Sequence, residues 1–287
     1  MNKGKKGFKF SRGEKGLLVI TLAVLFFLLA PFIYNPIYTA VLNHTIRSNN
    51  TIGVGMLLAL PGDINRYNSL RMIEDAGNTP LEEACIQGNV AIVKMLIGKD
   101  VDVNANMGSW GPLMVTLTSK KGNQYEIAKL LIENGVEIKE DRDSLILALL
   151  REEYSEGGMA GPVKKDYISA EEMYDLFILL IDNGANLYEG GGTGYRTSLP
   201  NRIMYGAALQ GNYQIFDYLL TEEGFDVNEN LGDGNTALIV AAKYDNQELV
   251  EYLLSKGADE TMENDERQTA LDIARENGNQ EIMGLLE

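Results

Sequence analysis

One block of residues occurs twice in this chain, far apart, and such a repeat limits the fold more than any composition does. Gly77-Asn78-Thr79-Pro80-Leu81-Glu82-Glu83-Ala84 is followed by Gly88-Asn89-Val90-Ala91-Ile92-Val93-Lys94-Met95-Leu96-Ile97 and then by Val101-Asp102-Val103-Asn104. The second copy runs Gly234-Asn235-Thr236-Ala237-Leu238-Ile239-Val240-Ala241-Ala242, then Gln247–Leu254, then Gly257-Ala258-Asp259. Weaker copies recur with a period near 32 to 39 residues. One such unit is too small to bury its own apolar face, so the units must stack neighbour on neighbour.

The pattern explains itself physically. Thr79 caps a first helix, and Pro80 suits its first turn, where the missing N–H has no partner to lose. Ala84 and Ala241 are small enough for helices to approach closely. Gly88 and Gly211 mark the turn to a second helix, whose apolar positions (Ile92, Val93, Leu96, Ile97) recur at helical spacing. Gly135, Gly184 and Gly257 follow second helices, where a left-handed cap needs no side chain.

These units resemble the ankyrin repeat family closely; in Gly77–Ala84 only the family's usual His is missing, with Glu82 in its place. The resemblance implies an all-α solenoid of helix–turn–helix pairs joined by short β-hairpin loops. It covers residues 35–287 in about seven units, the first and last being degenerate caps. Trp110-Gly111-Pro112-Leu113 with Gln124–Asn134 forms one weaker copy. Ser144–Leu150 with Glu171–Asn183 forms another, and Arg202–Leu209 with Tyr213–Leu220 a third. Gln268–Glu287 is the truncated last copy. Met56-Leu57-Leu58 and Asp63-Ile64-Asn65 mark the first, 39 residues ahead of Met95-Leu96-Ile97 and Asp102-Val103-Asn104. Residues 152–169 lengthen the turn inside one unit, and residues 189–201 lengthen the hairpin before the next. Loop insertions of this kind are tolerated and often carry binding.

The N-terminus obeys different rules. Between Lys15 and Arg47 there is no Asp, Glu, Lys or Arg, and residues 17–34 read LLVITLAVLFFLLAPFIY. As a helix, 18 residues reach about 27 Å, close to a hydrocarbon core of about 30 Å. Six cations precede this run, so residues 1–16 are expected inside as a basic cytoplasmic tail, 17–34 as a transmembrane signal anchor, and the body outside, periplasmic or extracellular. The rival is a cleaved signal peptide, but Leu28-Leu29-Ala30-Pro31-Phe32 is a poor cleavage site.

Charge and chemistry narrow the function. The chain carries −16; residues 1–16 hold +5, leaving −21 on the other 271 residues. An acidic body repels phosphate backbones, so no nucleic acid is expected as a partner. One Cys (Cys85) excludes an intrachain disulfide, and one His (His44) lacks the company that metal sites and His-based catalysis need. Gly190-Gly191-Gly192-Thr193-Gly194 lacks the following Lys-Ser/Thr of a phosphate loop. Asn43-His44-Thr45 and Asn49-Asn50-Thr51 are sequons, a weak three-residue match. No cofactor, metal or catalytic set is expected, and the protein is read as a non-enzyme.

The resemblance implies protein binding through hairpin tips and the concave first-helix face. The positions just before the Thr-Pro site are Asn78, Trp110, Arg142, Asn201, Asn235 and Gln268; Tyr195, Arg196, Tyr205 and Tyr244 join them as candidates. Trp110, the chain's single Trp, and the Arg residues are the kind that anchor interfaces. The expected partner is another protein, a basic one suiting the acidic body: a toxin or effector that this chain neutralises as an immunity protein, or an envelope enzyme that it scaffolds. An enzyme acting through an acidic groove and a tether without a specific client are the competing classes.

Overall fold

The computed structural model describes residues 35–65, 78–105, 111–138, 145–150, 154–155, 158–159, 168–188 and 198–287. The apolar run 17–34 lies outside them, and among the described residues no helix is long and apolar enough to cross a membrane.

The described helices fall into seven successive pairs. They are α1 (35–47) with α2 (Thr51–Leu58), α3 (Pro80–Ile86) with α4 (Val90–Ile97), and α5 (Pro112–Thr118) with α6 (Gln124–Glu133). Then come α7 (Leu145–Leu150) with α8 (Ala170–Asp182) and α9 (Leu199–Gln210) with α10 (Tyr213–Thr221). The last two are α11 (Ala237–Lys243) with α12 (Gln247–Ser255) and α13 (Ala270–Asn277) with α14 (Gln280–Leu286). First helices stack from α3 through α5, α7, α9 and α11 to α13; second helices stack in the same way from α2 to α14. Substantial helix contacts fall within a pair or between neighbouring pairs, as a one-dimensional array requires. The only described strands are β1 (Tyr154–Ser155) and β2 (Gly158–Met159), a two-residue antiparallel pair inside the insertion between α7 and α8.

Local chemistry places each start and stop. Thr79 caps α3 and shares a capping box with Glu82, which takes the place of the family's His: Glu82 Oε2 accepts from the Thr79 N–H at 2.7 Å. Asp272 does the same for Thr269 ahead of α13. Gly88 has φ +64°, and a Cβ there would meet the Gly122 carbonyl oxygen at 2.8 Å, so only Gly fits that turn. Gly234 has φ +73°, and its hairpin meets the next so closely that a Cβ would lie 2.6 Å from the Asp265 nitrogen. Here the expected β-hairpins shrink to single closing bonds, Leu231 N–H to the Asn235 carbonyl and Asn264 N–H to the Gln268 carbonyl.

One boundary departs from the sequence reading. The first helix of the fifth pair was expected to open at Arg202, with 189–201 as a long hairpin. It opens at Leu199, where Ser198 accepts from the Asn201 N–H and Pro200 sits in the first turn. Residues 199–201 therefore belong to α9, and Asn201 lies inside its first turn rather than ahead of a cap.

Side-chain amides stitch pair to pair. Asn65, Asn104 and Asn228 each accept, through Oδ1, a backbone N–H from the following unit: Asp102, Glu137 and Asp259. Asn123, Asn212 and Asn246 donate back to carbonyls of Gly88, Ala170 and Ala208. The second set satisfies carbonyls that stacking buries in part or whole. The interior is a continuous strip of Leu, Ile, Val and Ala, with Phe177 and Phe216 its largest fully buried side chains.

Candidate functional site

Trp110, Arg142, Tyr195 and Arg196 lie outside the described residues. The remaining expected binding residues are half-buried, and most are engaged at home. Asn78 donates to Glu83 at 3.4 Å, and its carbonyl accepts from Asn43. Asn201 donates to the Asn230 carbonyl at 2.7 Å and Asn235 to the Gly232 carbonyl at 3.0 Å. Gln268 donates to Glu276 at 2.9 Å. Tyr205 and Tyr244 pack partly against the core.

The second helices carry a further surface. Their solvent sides carry a row of tyrosines: Tyr125 on α6, Tyr174 on α8, Tyr213 and Tyr218 on α10, Tyr252 on α12. Between α6, α8 and α10 lies a cleft of about 550 Å³, lined by Tyr125, Tyr174 and Tyr218 together with Asp175, Asp182, Asp217 and Glu222. Every charged group lining it is a carboxylate.

The row is neutralised at its two ends and not in its middle. Lys94 on α4 pairs with Glu126 on α6 at 2.7 Å. At the other end Lys256 pairs with Asp217 at 2.9 Å and lies 5.1 Å over the Tyr252 ring, a cation–π contact. Tyr252 donates to the same carboxylate at 2.6 Å, which with Lys256 holds Asp217 below the usual carboxylate range. Among the described residues no cation pairs with Asp175, Asp182 or Glu222.

Two tyrosine hydroxyls, Tyr252 in the row and Tyr188 beyond α8, donate to carboxylates. Burial, then the bond to Asp217, pushes the Tyr252 hydroxyl up to about 12. The bond to Glu223, 2.6 Å long, raises Tyr188, and burial followed by Glu223 raises Tyr218. Tyr218 is braced edge-on against buried Phe177, with centroids 5.3 Å apart. A braced ring beside carboxylates that pair with no described cation suits a surface that receives cationic side chains.

Cys85 is wholly buried, and burial pushes its thiol up to about 12, so it packs as a small apolar residue. Among the described residues no group of three His, Cys, Asp or Glu side chains is placed to hold a metal ion.

Stacked helix pairs, stitched to their neighbours and presenting one long row of side chains, define a solenoid scaffold for binding protein. The chain belongs to the ankyrin repeat family: the family's repeat model matches residues 42–142 and 203–286. Alpha-latrotoxin-Lg1a of Latrodectus geometricus is 26% identical over 73% of this chain, and human NAD-capped RNA hydrolase NUDT12 is 39% identical over 28% of it. These alignments cover 14% and 17% of the relatives' own lengths, so the chain spans a small part of each. Among solved structures, the human ASB11 ankyrin repeat domain shares the fold at TM-score 0.58 and 20% identity, covering 85% of this chain and 95% of that one. A chain in the structure of the Bdellovibrio bacteriovorus endopeptidase Bd0816 in complex with immunity protein Bd3460 matches at TM-score 0.50 and 26% identity. That match covers 72% of this chain and 95% of the other.

Proposed function

We propose that this protein-interaction module captures a basic protein through the second-helix cleft of its third to fifth pairs. One coincidence carries the reading. Residues 143–202, which the family model leaves unmatched, contain both insertions and supply Tyr174, Asp175 and Asp182 to the cleft. The array departs from its own repeat where two of the cleft's three carboxylates without a described cation, Asp175 and Asp182, and one of its tyrosines, Tyr174, are placed. The body's charge of −21 would speed encounter with a cation-rich surface, and the tyrosines would set residence time. Residues 17–34 anchor the module, with 1–16 inside and the array outside.

Full-length tagged protein from native membranes should bring down a basic protein in stoichiometric amount, with association slowing as salt rises. Tyr218→Ala should weaken that complex by about 2 kcal/mol. Unchanged capture by Tyr218→Ala and Asp175→Lys would refute the cleft. Protease added to spheroplasts should digest the array; protection until lysis would refute the topology.

A second reading, an immunity protein against a secreted toxin, is favoured by the likeness to the endopeptidase–immunity protein complex. A toxin gene should then adjoin this one, and cells lacking this protein should die when that toxin is made. Survival equal to wild type would end the idea.

A further inference from the structure

Eight large apolar side chains are exposed among the described residues, and five of them (Ile37, Val41, Ile52, Met56 and Leu60) fall in the first pair. They form two stripes at one-turn spacing. On α1, Ile37 and Val41 stand opposite Thr39 and Asn43, and Asn43 donates to the Asn78 carbonyl of the next pair at 2.8 Å. On α2, Ile52 and Met56 are 74% and 68% exposed, with Leu60 beyond the helix end; they stand opposite buried Val54 and Leu58, on a helix that packs against α4. Both stripes therefore point away from the rest of the array.

Charge is missing from the same face. Between Lys15 and Asp63 the only Asp, Glu, Lys or Arg is Arg47, and its guanidinium is turned inward onto Glu83 at 2.9 Å. The far end differs: the last pair shows Arg275, Glu276, Asn277, Gln280 and Glu281 to solvent. A terminal repeat facing water needs a polar outer side, and the first pair offers no charged residue there: the Ile37 and Val41 stripe continues into His44 and Ser48. The apolar run 17–34 immediately precedes residue 35, where the described part of α1 begins.

We propose that the outer face of the first pair rests in the headgroup–acyl boundary of the bilayer, so that the array stands on the membrane by its N-terminal end. This rests on reading 17–34 as the anchor. Contact of this kind needs only an apolar face a few ångströms deep and no charge to desolvate. With packed helices spaced about 8–10 Å, the third to fifth pairs would stand roughly 20–40 Å above the surface, and the cleft with them. The anchor would fix the end of the array, and the first pair its angle.

The test uses the full chain in vesicles of phosphatidylethanolamine and phosphatidylglycerol, with Cys85→Ala removing the native thiol. Bimane is attached in separate samples at Phe26→Cys, Met56→Cys and Glu281→Cys, and doxyl-labelled lipid is added. The inference expects several-fold quenching and a blue shift at positions 26 and 56, and neither at 281. Quenching at 26 with a water-exposed label at 56 would overturn the inference and leave the anchor standing. No quenching at 26 would overturn the anchor and the inference with it. A label at 56 that is shielded from water but insensitive to doxyl lipid, with energy transfer between copies, would assign the face to a second copy and overturn the bilayer. Ile52→Lys with Met56→Lys should free a label at Leu60→Cys from the quencher while helicity stays unchanged; persistent quenching would count against the contact.

Discussion

The two ends of the array use the same parts under opposite conditions. Near the N-terminal end Thr79 and Glu82 form a capping box whose carboxylate is buried, and burial raises its pKa despite the Thr79 bonds. At the C-terminal end Thr269 and Asp272 form the same box in solvent, and the Thr269 backbone bond lowers the pKa. The ion pairs divide the same way. Arg47 binds Glu83, whose side chain is 3% exposed, whereas Arg275 meets Asp272 and Glu287 at 3.8 and 3.7 Å with every partner about half exposed. Position along the stack, rather than the motif itself, decides what a polar contact is worth.

The largest expected effect comes from removing one end. Deleting residues 268–287 strips Ile273, Ile282 and Leu286 from the core, at about 2 kcal/mol each, and bares the apolar side of α11 and α12. The truncated chain should aggregate on size exclusion and melt well below the full protein. A monomer with unchanged melting would break the view that neighbour contacts alone hold the array.

Next come the ion pairs. Glu83→Ala leaves Arg47 largely enclosed without its carboxylate and removes the acceptor of Asn78 and Gln87. It should cost about 2–3 kcal/mol in chemical denaturation. Arg275→Ala at the other end should cost at most about 0.5 kcal/mol. Equal costs would erase the contrast between the ends.

The capping boxes sharpen it through pH. A lowered carboxyl pKa gives stability that is present above the unfolded value and lost as pH falls through the folded one. Asp272→Asn should therefore melt below wild type at neutral pH, with the gap closing in acid. A raised pKa works in reverse: Glu82 favours folding at low pH, and that benefit is lost as pH rises through its folded pKa. Glu82→Gln should therefore match or exceed wild-type melting at neutral pH and lose that advantage in acid. Melting curves between pH 3 and pH 7 that move together for the two variants would contradict the assignment.

How much of this was legible follows from how locally it is encoded. Thr79, Gly88 and Gly257 announce caps and turns because each answers a backbone need within a few residues. The early start of α9 was also written locally, since Ser198-Leu199-Pro200 is a capped helix opening with Pro in the first turn. The long insertion before it drew attention to a hairpin instead. The tyrosine row was harder to see. Its Tyr252 bonds Asp217, 35 residues away, as Tyr188 beyond α8 bonds Glu223 at the same spacing. A solenoid turns one repeat period into one ångström-scale contact, so a reading at that spacing along the second helices finds the row. The cleft needs more, because its middle lies where the insertions break the period.

The smallest expected effect is the most discriminating for the N-terminal end. Ile52→Lys with Met56→Lys places two charges on the outer stripe of α2, and Val54→Ala and Leu58→Ala trim the inner stripe of the same helix. Both pairs keep helix-compatible side chains, so a difference between them reports the two faces and not helix propensity. In detergent, where no bilayer is present, the lysine pair should stay within about 0.5 kcal/mol of wild type, because exposed positions without partners carry little stability. The alanine pair should cost more, since Val54 and Leu58 are the side chains that fix α2 onto α4. A lysine pair as costly as the alanine pair would mean that the outer stripe is packed against protein after all. The apolar first pair would then be an interior repeat, and the proposed contrast between a water-facing end and a membrane-facing end would collapse.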